Sequence, residues 1–265
     1  MLKNIIYKVF LLVFTVIVCT SCEKVIDVNL NNASSVVVIE GVVTNRADSQ
    51  YVQIHRTVNF DEPNTFPAVT GAIVTIADNN GRVVTLKERR PGFYMTHNFV
   101  GRSGNTYSLK VVANGKEYTA RSTMPEQVNI DSMGVSVTTF FGEEHKTLQL
   151  IYNDPAGVKN YYRFKLKING VSSDNIFAFD DNFNDGRAVN RELFDLDLDA
   201  KSGDRAEIEM QCIDAAVFRY WQGLDQNQNR GGASTTPANP VSNISNGALG
   251  YFSAHTVQNE EIIIP

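Results

Sequence analysis

Cysteine, histidine and tryptophan are scarce in this chain, at three, four and one among 265 residues. The cysteines are Cys19, Cys22 and Cys212, too few and too far apart for a disulfide framework or a thiolate metal cluster. The histidines, His55, His97, His145 and His255, are scattered, and none has a metal-ligand partner at short spacing. Positive charge is also short: 24 Lys and Arg face 29 Asp and Glu. That balance leaves no surplus to neutralise a phosphate backbone and excludes nucleic acid as the expected partner. The body of the chain has no apolar run of membrane-spanning length. Motifs of catalysis are missing too. Gly101-Arg102-Ser103-Gly104 has the wrong spacing for a nucleophile elbow, and neither a phosphate-cradling glycine loop nor a His-Glu-x-x-His helix occurs. The reading is therefore not an enzyme and carries no obligatory cofactor.

What is present is core material: 43% hydrophobic and 20% charged residues, enough chain for one large or two ordinary domains. Residues 1–21 read as an export signal, with Lys3 and Lys8 before the uncharged apolar run Val9–Val18 and small residues Thr20 and Ser21 before Cys22. A small residue just ahead of a cysteine marks a bacterial lipoprotein signal, so Cys22 is the expected lipidation site and lipid membrane the expected partner. Several acyl chains anchor a protein stably where one does not. Position −3 is Cys19 where such signals usually have Leu. Removing the signal takes away Lys3 and Lys8, moves the formal charge from −5 to −7, and leaves Cys212 as the one thiol not taken by lipid. In the alternating run Ala206–Ile213 that thiol shares parity with Ile208 and Met210, which predicts a buried, inert cysteine.

After a tether over residues 22–33, short strands alternate with turn residues. Val36–Val43, Tyr51–Val58, Ala72–Ala77, Arg82–Leu86, Phe93–Thr96, Thr106–Ala113 and Glu117–Ser122 give seven strands without a helical period. Asp78-Asn79-Asn80-Gly81 and Asn114-Gly115 are hairpin turns. This predicts a β-sandwich over residues 34–125. Residues 126–132 read as a linker into a second antiparallel β domain over 133–265. Its expected strands are Val135–Thr139, Lys146–Tyr152, Tyr161–Ile168, Ile176–Phe179, Leu193–Leu198, Arg205–Ile213 and Gly250–Thr256. Tyr162, Phe164, Leu166 and Ile168 share one face and Arg163, Lys165 and Lys167 the other, a sheet with one wet side. Near residues 214–225, Val217, Phe218, Trp221 and Leu224 recur at helical spacing behind Asp214, a plausible N-cap, so an amphipathic helix is expected to close a core. Gln226–Val241 reads as a loop.

The main chemical feature is acidic: residues 174–204 hold nine acidic side chains against three basic ones. Asp181 and Asp185, with Gly186 and Glu192, fall at calcium-loop positions, but Phe183 stands where an oxygen ligand is needed. Asp195, Asp197 and Asp199 alternate with apolar residues and are predicted to line one strand face. That row suits a solvated edge, and the five aspartates together are the candidate cation site, with calcium as its ion.

Several short segments carry a resemblance: Cys22–Asp27, Val38-Ile39-Glu40-Gly41, Val69–Val74, Gly92-Phe93-Tyr94, Gly104–Leu109, Thr123-Met124-Pro125, Ile130-Asp131-Ser132, Tyr220-Trp221 and Asn243–Phe252. Over essentially the whole mature chain the sequence resembles the Bacteroidota outer-membrane lipoproteins collected as domain of unknown function family 4249. The resemblance implies a two-part β protein without catalytic residues, whose first unit is similar to immunoglobulin-like and transthyretin-like modules. Such proteins often accompany TonB-dependent receptors, which implies an accessory or ligand-binding role in nutrient uptake. The alternative is a stand-alone cell-surface adhesion or envelope structural lipoprotein. Asp131-Ser132-Met133 resembles an O-glycosylation motif of the phylum, with Ser132 as acceptor, unless the segment is a simple linker turn. The expected location is the outer membrane, on its periplasmic or cell-surface face.

Overall fold

A computed structural model describes residues 35–265, except 48–49, 60–61, 64, 98, 199 and 229–237. The signal, Cys22 and Asp199 lie outside the described residues. The chain is mainly β. In the first half, β1 (Val37–Thr44), β2 (Gln50–Arg56), β3 (Ile73–Asp78), β4 (Val83–Arg90), β5 (Phe93–Thr96), β6 (Thr106–Ala113) and β7 (Lys116–Thr123) follow the seven predicted strands within a few residues. The second half contains β8 (Ile130–Phe140), β9 (Glu143–Asn153), β10 (Tyr161–Ile168), β11 (Val171–Ser172), β12 (Phe177–Asp180), β13 (Ala188–Leu193) and β14 (Arg205–Cys212). Helix α1 (Ala215–Gln228) and β15 (Leu249–Ile263) complete it. The turns behave as their residues require. Asp78 Oδ1 accepts from the amides of Asn80 and Arg82, both at 2.9 Å. Asn114 and Gly115 both take positive φ, as the tightest hairpin demands.

One large sheet runs β11-β10-β14-β15-β1-β2-β5-β4-β3-β6-β7, with β12 also on β10, and a small sheet runs β13-β9-β8. Neighbours are antiparallel except β1 and β15, which lie parallel. That junction joins residues about two hundred positions apart and threads one sheet through both halves. It needs close backbone approach. Gly250 faces Ile39 at φ +93, and a Cβ there would stand 2.1 Å from the Ile39 carbonyl oxygen. Across from Phe252, a Cβ on Gly41 would meet that ring at 2.8 Å. Only glycine fits either place.

Two main cores result. In the first, Ile39, Val52, Ile54, Val74 and Ile76 meet Leu109, Val111 and Tyr118 from β6 and β7, and Phe252 and Ala254 from β15. In the second, the apolar face of β10 and β14 (Tyr162, Phe164, Leu166, Ile208, Met210) packs on Leu148, Leu150 and Tyr152 of β9 and Val189 of β13. Val128 and Ile130 are buried there, and β8 starts at Ile130, within the 126–132 segment. Cys212 is 2% exposed in this core, and burial pushes its thiol up, so the expectation of an inert cysteine holds.

Helix α1 begins as predicted. Asp214 Oδ1 accepts from the amides of Ala216 (3.0 Å) and Val217 (2.9 Å). Its other oxygen accepts from Ser122 Oγ (2.6 Å) and the Thr123 amide (3.1 Å), latching the helix to the end of β7. The helix runs on to Gln228, into the predicted loop. Among the described residues no helix is long and apolar enough to cross a membrane.

Candidate functional site

The face opposite the second core is where polar side chains converge. Strand alternation sends Arg163 and Lys165 of β10, Glu209 and Gln211 of β14, Tyr251, Ser253 and His255 of β15, and Val42 and Thr44 of β1 to the same side. Strand register pairs Arg163 with Gln211 and Lys165 with Glu209. The sequence predicts this side to be wet, and at Lys165 and Lys167 it is exposed. At Arg163 the expectation fails, because α1 lies over it. Tyr220, Trp221 and Leu224 pack against Tyr51, Val42 and Tyr251, and the Arg163 guanidinium sits 3.5 Å from the centre of the Trp221 ring. The helix thus closes an apolar cluster, as expected, and roofs one end of a polar cavity at the same time.

That cavity has a volume of about 300 Å³. Its walls are mixed. Tyr51, Trp221 and Tyr251 give aromatic surface, Arg46, Arg163 and Lys165 give positive charge, and Glu209 is the acid among the lining residues. Glu209 is engaged by Lys165 at 2.8 Å, and although burial alone would raise it, that pairing holds it below the usual carboxylate range. Ser253 Oγ and His255 Nδ1 lie 2.8 Å apart, with Ser253 1% and His255 4% exposed. Burial, with Lys165 and Arg163 adding to it against Glu209, pushes His255 down to about 3. The ring is neutral at any physiological pH. A rigid sheet, a helical roof and convergent polar groups can hold one small molecule; 300 Å³ is at the low end of ligand cavities.

The aspartates separate into two groups. Asp181 and Asp185 come together at the turn after β12, and Asp154, from the end of β9, joins them with its carboxylate oxygen within 4.8 Å of theirs. Sequence reading missed Asp154, which lies outside the acidic segment. Protein donors already engage all three. Asp154 accepts from the Tyr162 hydroxyl, and Asp181 from Lys159 and from the Asn160 amide at 2.7 Å. Asp185 accepts from the Gly157 amide at 2.7 Å. Burial is the largest influence on Asp154 and leaves it raised, with the Asp181 and Asp185 charges adding to the shift. Burial would raise Asp181 as well, but its hydrogen bonds and the Lys159 charge outweigh it and leave it lowered.

Asp195 and Asp197 are elsewhere. The predicted strand Leu193–Leu198 is not formed: β13 ends at Leu193 and the chain bends. Asp195 Oδ1 accepts from the Asp197 amide at 2.9 Å, an Asx turn that competes with extended pairing, and its other oxygen accepts from Ser173. No row of aspartates on a strand face exists among the described residues here. Ser132 is exposed on β8, at a register shift, and β8 is an edge of the small sheet.

The polar cavity was not visible in the sequence. Arg163 and Lys165 read as one wet face, and nothing local connects them to Ser253 and His255 across a sheet closed by the β1–β15 junction. Residues 23–261 match the family described as Domain of unknown function (DUF4249). No curated protein matches the chain.

Proposed function

The chain belongs to the DUF4249 family, and from that premise we propose a non-catalytic, lipid-anchored ligand-binding protein of the outer membrane. In this reading, acylation of Cys22 tethers it, and it serves as accessory partner of a TonB-dependent transporter in nutrient uptake. The observation that supports ligand binding is the polar, aromatic-walled cavity under α1, built on the adjoining strands β10, β14, β15 and β1 of the large sheet. Its Ser253–His255 pair favours binding over catalysis. A general base works best with a pKa near the operating pH, and an imidazole held at about 3 draws no proton from serine at neutral pH. The edge of the small sheet at β8 gives a barrel partner backbone to pair with, whereas the outer edge of β7 is already covered by Asn243, Ser245 and Asn246.

The test is to solubilise the intact protein from its native membrane in mild detergent, tagged at Pro265, and identify what co-purifies. A stoichiometric TonB-dependent barrel fixes the accessory role. Recovery of the protein alone, with Cys22 acylated, removes the transporter from the proposal and favours the adhesion or structural alternative.

A further inference from the structure

We propose that the cavity under α1 binds a small organic carboxylate, with Arg163 as the group that receives the carboxylate and Trp221, Tyr251 and Tyr51 as the surface for its apolar body. This rests on the ligand-binding part of the reading above and not on the transporter.

The argument begins with Arg163 itself. Its guanidinium is half-buried on the sheet face and covered by the Trp221 ring. Among the described residues it makes one hydrogen bond, to the neutral Gln211 Oε1 at 3.2 Å, and no ion pair. Guanidinium carries five donors in a planar fork, so most of its capacity is unspent. Desolvation pulls it below the usual arginine range, opposed by Glu209, by Glu40 on β1 and by the tyrosines around it. The acid nearest in register, Glu209, is taken by Lys165. A desolvated cation without a carboxylate is costly, and in proteins such a group normally has a partner. Here the partner's place is the cavity.

The rest of the lining agrees on sign and size. Three cations line the cavity against one carboxylate in a chain whose formal charge is −5. Neutral His255 adds no charge of its own. The aromatic rings pack on one another, Tyr220 on Tyr251 at 5.0 Å and Trp221 on Tyr251 at 5.1 Å, so the wall stands preformed. A planar carboxylate matches the guanidinium fork with two parallel bonds, which a spherical or tetrahedral anion matches less well. Aromatic faces beside that fork favour an organic body over a bare inorganic ion.

Trp221 is the chain's one tryptophan, so its emission reports on this cavity alone. The full lipidated protein in a neutral maltoside detergent is titrated with phenylacetate, cyclohexylacetate and acetate. The amides of the first two and inorganic phosphate are the controls, read by Trp221 fluorescence and by calorimetry. The expected result is saturable binding of phenylacetate or cyclohexylacetate, with each amide and phosphate at least ten times weaker. Arg163→Gln should abolish it and Arg163→Lys should retain a weakened form, both variants still unfolding in one cooperative transition. Amides or phosphate binding as tightly as the carboxylates, or Arg163→Gln binding as tightly as the native chain, would overturn the carboxylate assignment while leaving a ligand pocket. Silence from every probe overturns the assignment and the pocket's role together, and co-purification of a barrel would then still stand as a separate result. If both Arg163 variants unfold, the carboxylate-to-amide ratio on the native chain decides alone.

Discussion

The core built from β1–β7 hides tyrosines whose hydroxyls meet the backbone, whereas the core built from β8–β14 hides carboxylates. Tyr94 donates to the Val69 carbonyl at 2.9 Å and accepts from the Ala72 amide at 3.0 Å, and Tyr107 accepts from the Arg102 amide at 2.7 Å. Those are neutral bonds, worth about 1 kcal/mol each, and the other buried polar side chains of this half, Thr44, Gln50 and Ser122, are uncharged too. In the second half Asp154 and Asp181 are 5% and 2% exposed and His255 is 4% exposed, and Asn160 Oδ1, Thr147 Oγ1 and Arg191 Nε are buried without a partner, against His55 Nδ1 in the first half. Buried charge and unpaired polar atoms destabilise a fold, and proteins hold such groups where they are used. The difference teaches an uneven division: among the described residues buried carboxylates are confined to the second half, while the polar cavity draws on both halves, with Val42, Thr44, Arg46 and Tyr51 from the first.

The sharpest way to break that comparison is to damage each core separately. Phe99 (0% exposed) belongs to the first and Phe164 (2% exposed) to the second. Truncating either to alanine is expected to cost about 3–5 kcal/mol. Because β15 is hydrogen-bonded to β1 on one side and β14 on the other, each variant should lower one shared unfolding transition. Two transitions in calorimetry, only one of them moved, would mean that the halves fold independently.

Acid should weaken that shared transition through a group on β15. His255 is held at about 3 in the folded chain, against about 6.5 when unfolded, so below pH 6.5 the unfolded chain binds a proton that the folded one refuses. Its contribution is fully present above pH 6.5 and is lost as pH falls toward 3. That amounts to roughly 3 kcal/mol by pH 4. In urea unfolding at pH 7.5 and pH 4, His255→Gln should lose less stability between the two than the native chain does. Equal losses would remove His255 from the acid response.

Asp214 stands between the halves. Its carboxylate caps α1 and holds Ser122 and the Thr123 amide, and Ser122 Oγ in turn accepts from the Ala254 amide at 2.8 Å. Asp214→Ala is expected to cost about 1–2 kcal/mol. Asp214→Asn should recover part of it in the same denaturant series, since an amide oxygen still caps.

How much of this was legible depended on sequence distance. Thr106–Ala113, Tyr161–Ile168, Phe93–Thr96 and the Asp214 cap are written in local alternation and turn chemistry, and they form where that pattern puts them. Leu193–Leu198 shows the same alternation and fails, because Asp195 bonds the Asp197 amide and Ser173 instead of leaving its backbone free for a ladder. The polar cavity depends on β1 meeting β15, and Asp154 reaches Asp181 only after β9 and β12 have been placed by the second core. Neither pairing has a local signature, so alternation gave Arg163 its face but not its roof.

The smallest effect concerns the Asp154–Asp181–Asp185 group, and it separates a structural knot from a cation site. Lys159 already donates to Asp181 and, at 2.6 Å, to Asn182, while the Gly157 amide and the Tyr162 hydroxyl hold Asp185 and Asp154. A calcium ion would have to displace an ammonium and still lack the six or more oxygens it prefers. A site with millimolar affinity would add about 1.4 kcal/mol at tenfold excess calcium, which in a chain of this size raises the midpoint by about 3–5 °C. The expected shift for the intact protein in 10 mM calcium is below about 1 °C, well short of that. A larger shift that Asp154→Asn removes would turn the knot into a calcium site and place a second ligand-holding centre in the half that already holds the buried charge.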